Sequence, residues 1–282
     1  IGLGSGSLGT ALTTGTDNVA IGESALDAVT SGADNTAVGD NALGANTTAA
    51  NNVAVGSSAL LLNTTGASNT AIGAFALDAN TTASYNTGIG TSALGANTTG
   101  ASNTALGASA LVANTTGTKN VAIGHDALTT ITTGSYNVAV GTEALKVNTA
   151  SGNTAVGQDA LKASTTGASN TAVGQNALTS NTTGTYNTAL GYGALDAHTV
   201  ANDCVAVGRD ALGANTTASS NVAVGAYAML VNTTGTENTA VGFRALDANT
   251  TASNNTAIGN AALGANTTGA DNTAVGKGSA DA

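Results

Sequence analysis

The chain has 282 residues with 38 Gly, no Pro, no Trp and one Cys; 41% are apolar, 8% charged and 2% aromatic, and the formal net charge is −10. This composition excludes an internal disulfide framework and a Cys-based zinc site, and it gives no basic patch for nucleic-acid phosphates. Nowhere is there an apolar run of the ~18 residues a membrane-spanning helix needs, so no membrane insertion is expected of this segment.

Ala supplies most of the apolar fraction, so whatever core forms is made of small side chains. One motif, Asn-Thr/Val-Ala-Val/Ile-Gly, organises the whole sequence. Its Gly falls at 22, 39, 56, 73, 90, 107, 124 and 141 in steps of 17, then at 157 after a step of 16. It continues at 174, 191, 208, 225, 242, 259 and 276, and Leu3-Gly4 is an earlier instance. A fixed period over a whole chain is the mark of a repeat architecture.

With the Asn as position 1 and the Gly as position 5, the elements of one coil follow in order. Positions 1–5 predict a strand, since β-branched residues two apart share one face and Asn, Ala and Gly share the other. The absence of Pro fits, because a stacked strand uses every backbone N–H. The ladder residues of three successive coils are Asn35, Asn52 and Asn69 at position 1, with Val38, Val55 and Ile72 at position 4. Gly39, Gly56 and Gly73 close the strands, and a tight turn explains them.

All 22 charged residues lie at positions 6, 7, 10 or 17, and all seven aromatics lie at 6, 7 or 17. These four positions are the expected solvent-facing turns; the other thirteen are expected to be shielded or sterically restricted. Ala at 8 and Leu at 9 (Leu43, Leu60, Leu77; Met229 once) sit in segments of about five residues, far short of the ~12 an isolated helix needs. One helical turn is the most they could form.

Asn-Thr-Thr at positions 12–14 predicts a second strand. Thr47, Thr64 and Thr81 at position 13 then form a stacked ladder, with the Asn residues doing the same. The tripeptide also fits the N-glycosylation sequon, which matters only in a eukaryotic secretory pathway. A flat Thr array could bind ice, but adjacent Thr47 and Thr48 would point to opposite sides.

The expected fold class is therefore all-β: a parallel β-solenoid, or β-roll, of about sixteen 17-residue coils in one continuous array over 1–282. At ~4.8 Å per coil it would be roughly 75–80 Å long. Each coil offers one Leu, one Val or Ile and some Ala for burial, which is little against the entropy of ordering its backbone. A thin coil encloses only one of its two charge-free strand faces. Either could turn inward, but the flat Ala and Gly face suits close packing against another copy, and a side-by-side homotrimer is expected.

Asn18-Val-Ala-Ile-Gly22, Asn52-Val-Ala-Val-Gly56 and Asn120-Val-Ala-Ile-Gly124 resemble the Ser-Val-Ala-Ile-Gly motif of YadA-like trimeric autotransporter adhesin heads. Asn187-Thr-Ala-Leu-Gly-Tyr-Gly-Ala-Leu195 with its Thr-rich turns is similar to repeats in phage tail-fibre-like proteins. The resemblance covers the whole chain and implies a left-handed parallel β-roll, three chains side by side, at a cell surface or on a virion fibre. The period departs from the family, whose heads repeat in about 14 or 15 residues.

No catalytic, cofactor or metal site is expected, and the chain does not read as an enzyme. His125 and His198 stand at different coil positions, 6 and 12, and both read as exposed turn residues. Cys204 takes the place of a position-1 Asn and reads as a tolerated substitution. Tyr85, Tyr136 and Tyr186 at position 17 are possible surface contacts. The expected function is a structural or adhesive segment of an extracellular fibre, read as a piece of a longer chain, whose partners are itself and a host-cell receptor or glycan. The alternatives are an end-to-end polymerising filament subunit, or a monomeric solenoid binding glycan or ice through its Thr rows.

Overall fold

The computed structural model describes residues 1–9 and 12–280. The chain is an all-β parallel β-solenoid of about sixteen coils, and no helix occurs among the described residues. It divides into two compact units, 1–139 and 140–282. The first holds strands β1 (Gly2–Leu3) to β8 (Val121–Ile123), and β9 (Val138–Val140) lies at the division. The second holds β10 (Thr154–Val156) to β17 (Thr273–Val275).

Within each unit successive strands pair in parallel and in strict register. Thr36 faces Val53 and Val38 faces Val55 in the first unit; Thr154 faces Thr171 and Val156 faces Val173 in the second. Equivalent residues therefore stack on equivalent residues, and one coil position becomes one row of side chains.

The rows settle which strand face is enclosed. Ala at position 3 is fully buried, as in Ala37, Ala54 and Ala71, while Ile72 at position 4 is 40% exposed and Leu106 43%. The β-branched face thus points outward and the Ala face inward, the reverse of the packing expected from the sequence. The Val or Ile counted towards each coil's core is half-exposed instead. Space is the reason: on Gly88, a position-3 glycine, a Cβ would lie only 3.4 Å from the Leu77 side chain and 3.1 Å from the Ala93 carbonyl. An interior this thin takes Ala at 3 and 8, Leu at 9 and Asn at 1 and 12, and no larger side chain at the strand centre.

The Ala-Leu segment is neither helical nor extended. Hydrogen-bonded turns over 39–42 and 41–44 (3.3 and 3.2 Å) have their third residues, Asn41 and Leu43, at φ 55° and 54°. Positive φ there is what a type II turn requires, normally of Gly or Asn. Leu adopts it in coil after coil because that turn aims the side chain into the core, where Leu26, Leu43 and Leu60 are wholly buried.

The glycine at position 5 answers to stacking as well as to turning. Gly73 has φ 134°, and a Cβ on it would lie 2.6 Å from the carbonyl oxygen of Gly90 in the next coil. The expected second strand is absent among the described residues: Asn-Thr-Thr forms bends. Those bends still bond coil to coil, Thr47 N–H to Thr64 C=O (3.2 Å) and Thr64 N–H to Thr81 C=O (2.9 Å).

Candidate interaction surfaces

Three kinds of row line the coils, and they differ in what they can do. The interior rows are polar ladders. Asn52 donates its backbone N–H to Asn35 Oδ1 (3.0 Å), Asn69 to Asn52 Oδ1 (2.9 Å), and Asn52 Nδ2 donates across the coil to the Gly66 carbonyl (3.0 Å). The Gly66 carbonyl also accepts from Asn63 Nδ2 (2.9 Å), and Asn80 Nδ2 donates to Asn63 Oδ1 (2.9 Å). These amides are fully buried, and each supplies donors and acceptors that a corner of the coil otherwise lacks.

The Thr rows divide. Thr47, Thr64 and Thr81 are half-buried, and each hydroxyl donates to the carbonyl of the Thr one coil on, at 3.3, 3.1 and 3.2 Å. Thr48, Thr65 and Thr82 at position 14 are exposed. A position without charge is therefore not always a shielded one: hydroxyls serve in water at 14 as carboxylates do at 17.

The outer sheet face carries no charge. Thr or Val at position 2 and Val, Ile or Leu at position 4 alternate with buried Ala. The position-4 row leaves Ile21, Ile72, Leu106 and Ile123 exposed in the first unit and Leu190, Val224, Val241 and Ile258 in the second. Val38 and Val55 in the same row are half-buried. This surface is uncharged, aliphatic at position 4, regular and built on paired backbone, and it can pack. No protein-family model matches the chain, and no curated protein is similar to it.

His198 corrects the sequence expectation, because it is fully buried and not an exposed turn residue. It replaces Asn in the position-12 ladder. Its Nε2 lies 2.9 Å from the Ala201 carbonyl, the partner an Asn amide would have, and Asn215 Nδ2 lies 3.1 Å from its Nδ1. Those partners place the proton on Nε2 and leave Nδ1 as acceptor. With no second donor, His198 leaves Asn181 Oδ1 without a partner; Ile131 does the same to Asn114 Oδ1. Cys204 is also buried, its thiol directed at the Ala218 carbonyl (3.3 Å), and Asn215 Nδ2 is 3.9 Å from its sulfur. Burial pushes the thiol up to about 11, so this Cys, His and Asn form an inert core group and not a nucleophile.

Burial lowers the His198 pKa from its ordinary 6.5, against the opposing hydrogen bond to Ala201. The unfolded chain therefore binds a proton that the folded chain refuses. The stability tied to this residue is complete above pH 6.5 and falls as pH drops below it, by at most about 1.4 kcal/mol per pH unit. His198→Asn restores the ladder donor to Asn181 and is expected to flatten the melting temperature between pH 7.5 and 5. Thermal melts across that range check it.

The remaining sequence-selected residues lie on the corners. Among the described residues no three His, Cys, Asp or Glu side chains could hold a metal, and His125 is exposed beside Asp126 (3.7 Å). Tyr85, Tyr136 and Tyr186 are 70%, 61% and 65% exposed, and Lys119 Nζ lies 5.1 Å from the Tyr136 ring. Glu143, half-buried between Lys146 (2.6 Å) and Lys162, is held down to about 2 by their hydrogen bonds. Sequence reading missed a denser corner cluster, described below. Its signal was available: both Arg and three of the seven aromatics fall within residues 192–244.

Proposed function

We propose that the chain is a structural and adhesive segment of an extracellular fibre, in which three copies pack side by side through the outer sheet face. The single observation that carries this is the half-exposed row of Val, Ile and Leu at position 4, repeated coil after coil with no charge at positions 2 or 4. A row of that kind on paired, flat backbone meets an identical row from another copy without stranding any charge. Parallel hydrogen-bonded stacking supplies stiffness, and the charged corners supply solubility and surface for display. The likeness of the coil motif to trimeric adhesin heads supports a three-fold arrangement at a cell surface or on a virion.

The test is the double variant Ile72→Lys/Leu106→Lys. Both side chains are already partly in water, so in a single chain the change costs little. Between copies it brings like charges together in an apolar seam. The variant is expected to sediment as single chains at a concentration where the parent is associated. An unchanged mass, with the lysines titrating normally, would remove the outer face from the interface.

A further inference from the structure

The corner of four successive coils in the second unit gathers both Arg of the chain and three of its seven aromatics. Tyr192, Arg209, Tyr227, Phe243 and Arg244 occupy positions 6 and 7 there. Backbone bonds hold that corner in register: Asp210 N–H to Tyr192 C=O and Tyr227 N–H to Arg209 C=O (both 2.9 Å), then Arg244 N–H to Ala226 C=O (3.1 Å). The Arg209 guanidinium sits 4.5 Å over the Tyr227 ring, and the Arg244 guanidinium lies 6.0 Å from it on the next coil. Phe243 meets Tyr227 edge to face at 6.1 Å.

These contacts order Tyr227 and Phe243, and the corner stays open to solvent. Tyr192 is 53% exposed and Phe243 47%. Asp210 and Asp247 stand 3.9 and 3.8 Å from Arg209 and Arg244, so the patch has no net charge. Both features bear on the partner. Neutrality gives no attraction for nucleic acid or an anionic membrane. Three rings over roughly 14 Å make a patch far smaller than the ~800 Å² per partner that a stable protein interface buries. Ordered ring faces flanked by guanidinium donors and carboxylate acceptors suit a ligand with C–H faces and many hydroxyls.

We infer that the Tyr192–Arg209–Tyr227–Phe243–Arg244 corner is a carbohydrate-binding site, its rings stacking on sugar faces and its Arg and Asp groups bonding hydroxyls. Three coil steps span roughly 14 Å, enough for a short oligosaccharide. The site lies within one chain and does not depend on the assembly proposed above.

The experiment uses the full chain on a printed array of neutral and carboxylated oligosaccharides, with heparin and phosphatidylserine vesicles as counter-probes. Selected oligosaccharides are expected to bind, with affinity falling at least tenfold in Tyr227→Ala and in Phe243→Ala and holding in Tyr85→Ala. Circular dichroism identical to the parent shows that each variant is folded. Ile72→Lys/Leu106→Lys should still bind, which separates this site from the assembly. No oligosaccharide bound, equal binding by the ring variants, or binding confined to heparin or vesicles overturns the inference.

Discussion

Gly73→Ala is expected to destabilise the first unit by about 2–6 kcal/mol. Two terms add. The backbone at φ 134° is a conformation that residues with a Cβ rarely adopt, costing about 1–3 kcal/mol. The new Cβ would also lie 2.6 Å from the Gly90 oxygen and 2.7 Å from its carbonyl carbon, so the two coils must separate. Displacing packed backbone costs a further ~1–3 kcal/mol. Gly44→Ala is the control: other coils fill that position with Asp27, Leu61 or Val112, and its nearest atom is 3.3 Å away. A change within about 0.5 kcal/mol is expected there. Chemical denaturation of both variants measures the difference, and equal midpoints would remove the stacking account of this glycine.

Asn103→Leu is expected to cost about 2–4 kcal/mol although it adds apolar volume to a buried site. Asn103 Oδ1 accepts the Asn120 N–H (2.9 Å), and its Nδ2 donates to the Gly117 carbonyl (2.8 Å). The carbonyl keeps its bond from Asn114 Nδ2 (3.0 Å), but the buried Asn120 N–H is left with nothing. An unpaired buried donor costs about 1–3 kcal/mol, and forcing a branched side chain into the ladder adds to it. Thermal melts of the variant beside the parent read the loss directly. A hydrophobic account of the core predicts the opposite sign, so a stabilised Asn103→Leu would show that the ladder is incidental.

The period, the strand at Asn-Thr-Ala-Val-Gly and the wet corners were legible because each follows from spacing or charge. The orientation of the strand was not, because alternation defines two faces without saying which is enclosed. Hydrophobicity alone favours Val38 and Ile72 inside. The deciding term is room, and it leaves a trace in variability: position 3 is Ala everywhere except Gly2 and Gly88, whereas position 4 accepts Val, Ile and Leu. A site that tolerates changes of size faces space; one that tolerates only Ala faces a wall.

Leu43 at positive φ was hidden for a related reason. Local preference gives Gly or Asn at that place in the turn, and burial overrides it. His198 looked like a corner residue because histidine is polar, yet position 12 is an Asn row that the fold encloses. The second expected strand failed because coil-to-coil bonding needs aligned carbonyls, which the bends at Thr47 and Thr64 already provide.

The proposed packing through the outer sheet face is tested most directly by the native mass of the parent chain in dilute solution, measured by light scattering. The account predicts a mass near three times the 26.6 kDa chain, held at low salt and high salt alike because the seam is apolar. A stable species at 26.6 kDa across the concentration range would contradict it and leave the Val, Ile and Leu row facing water.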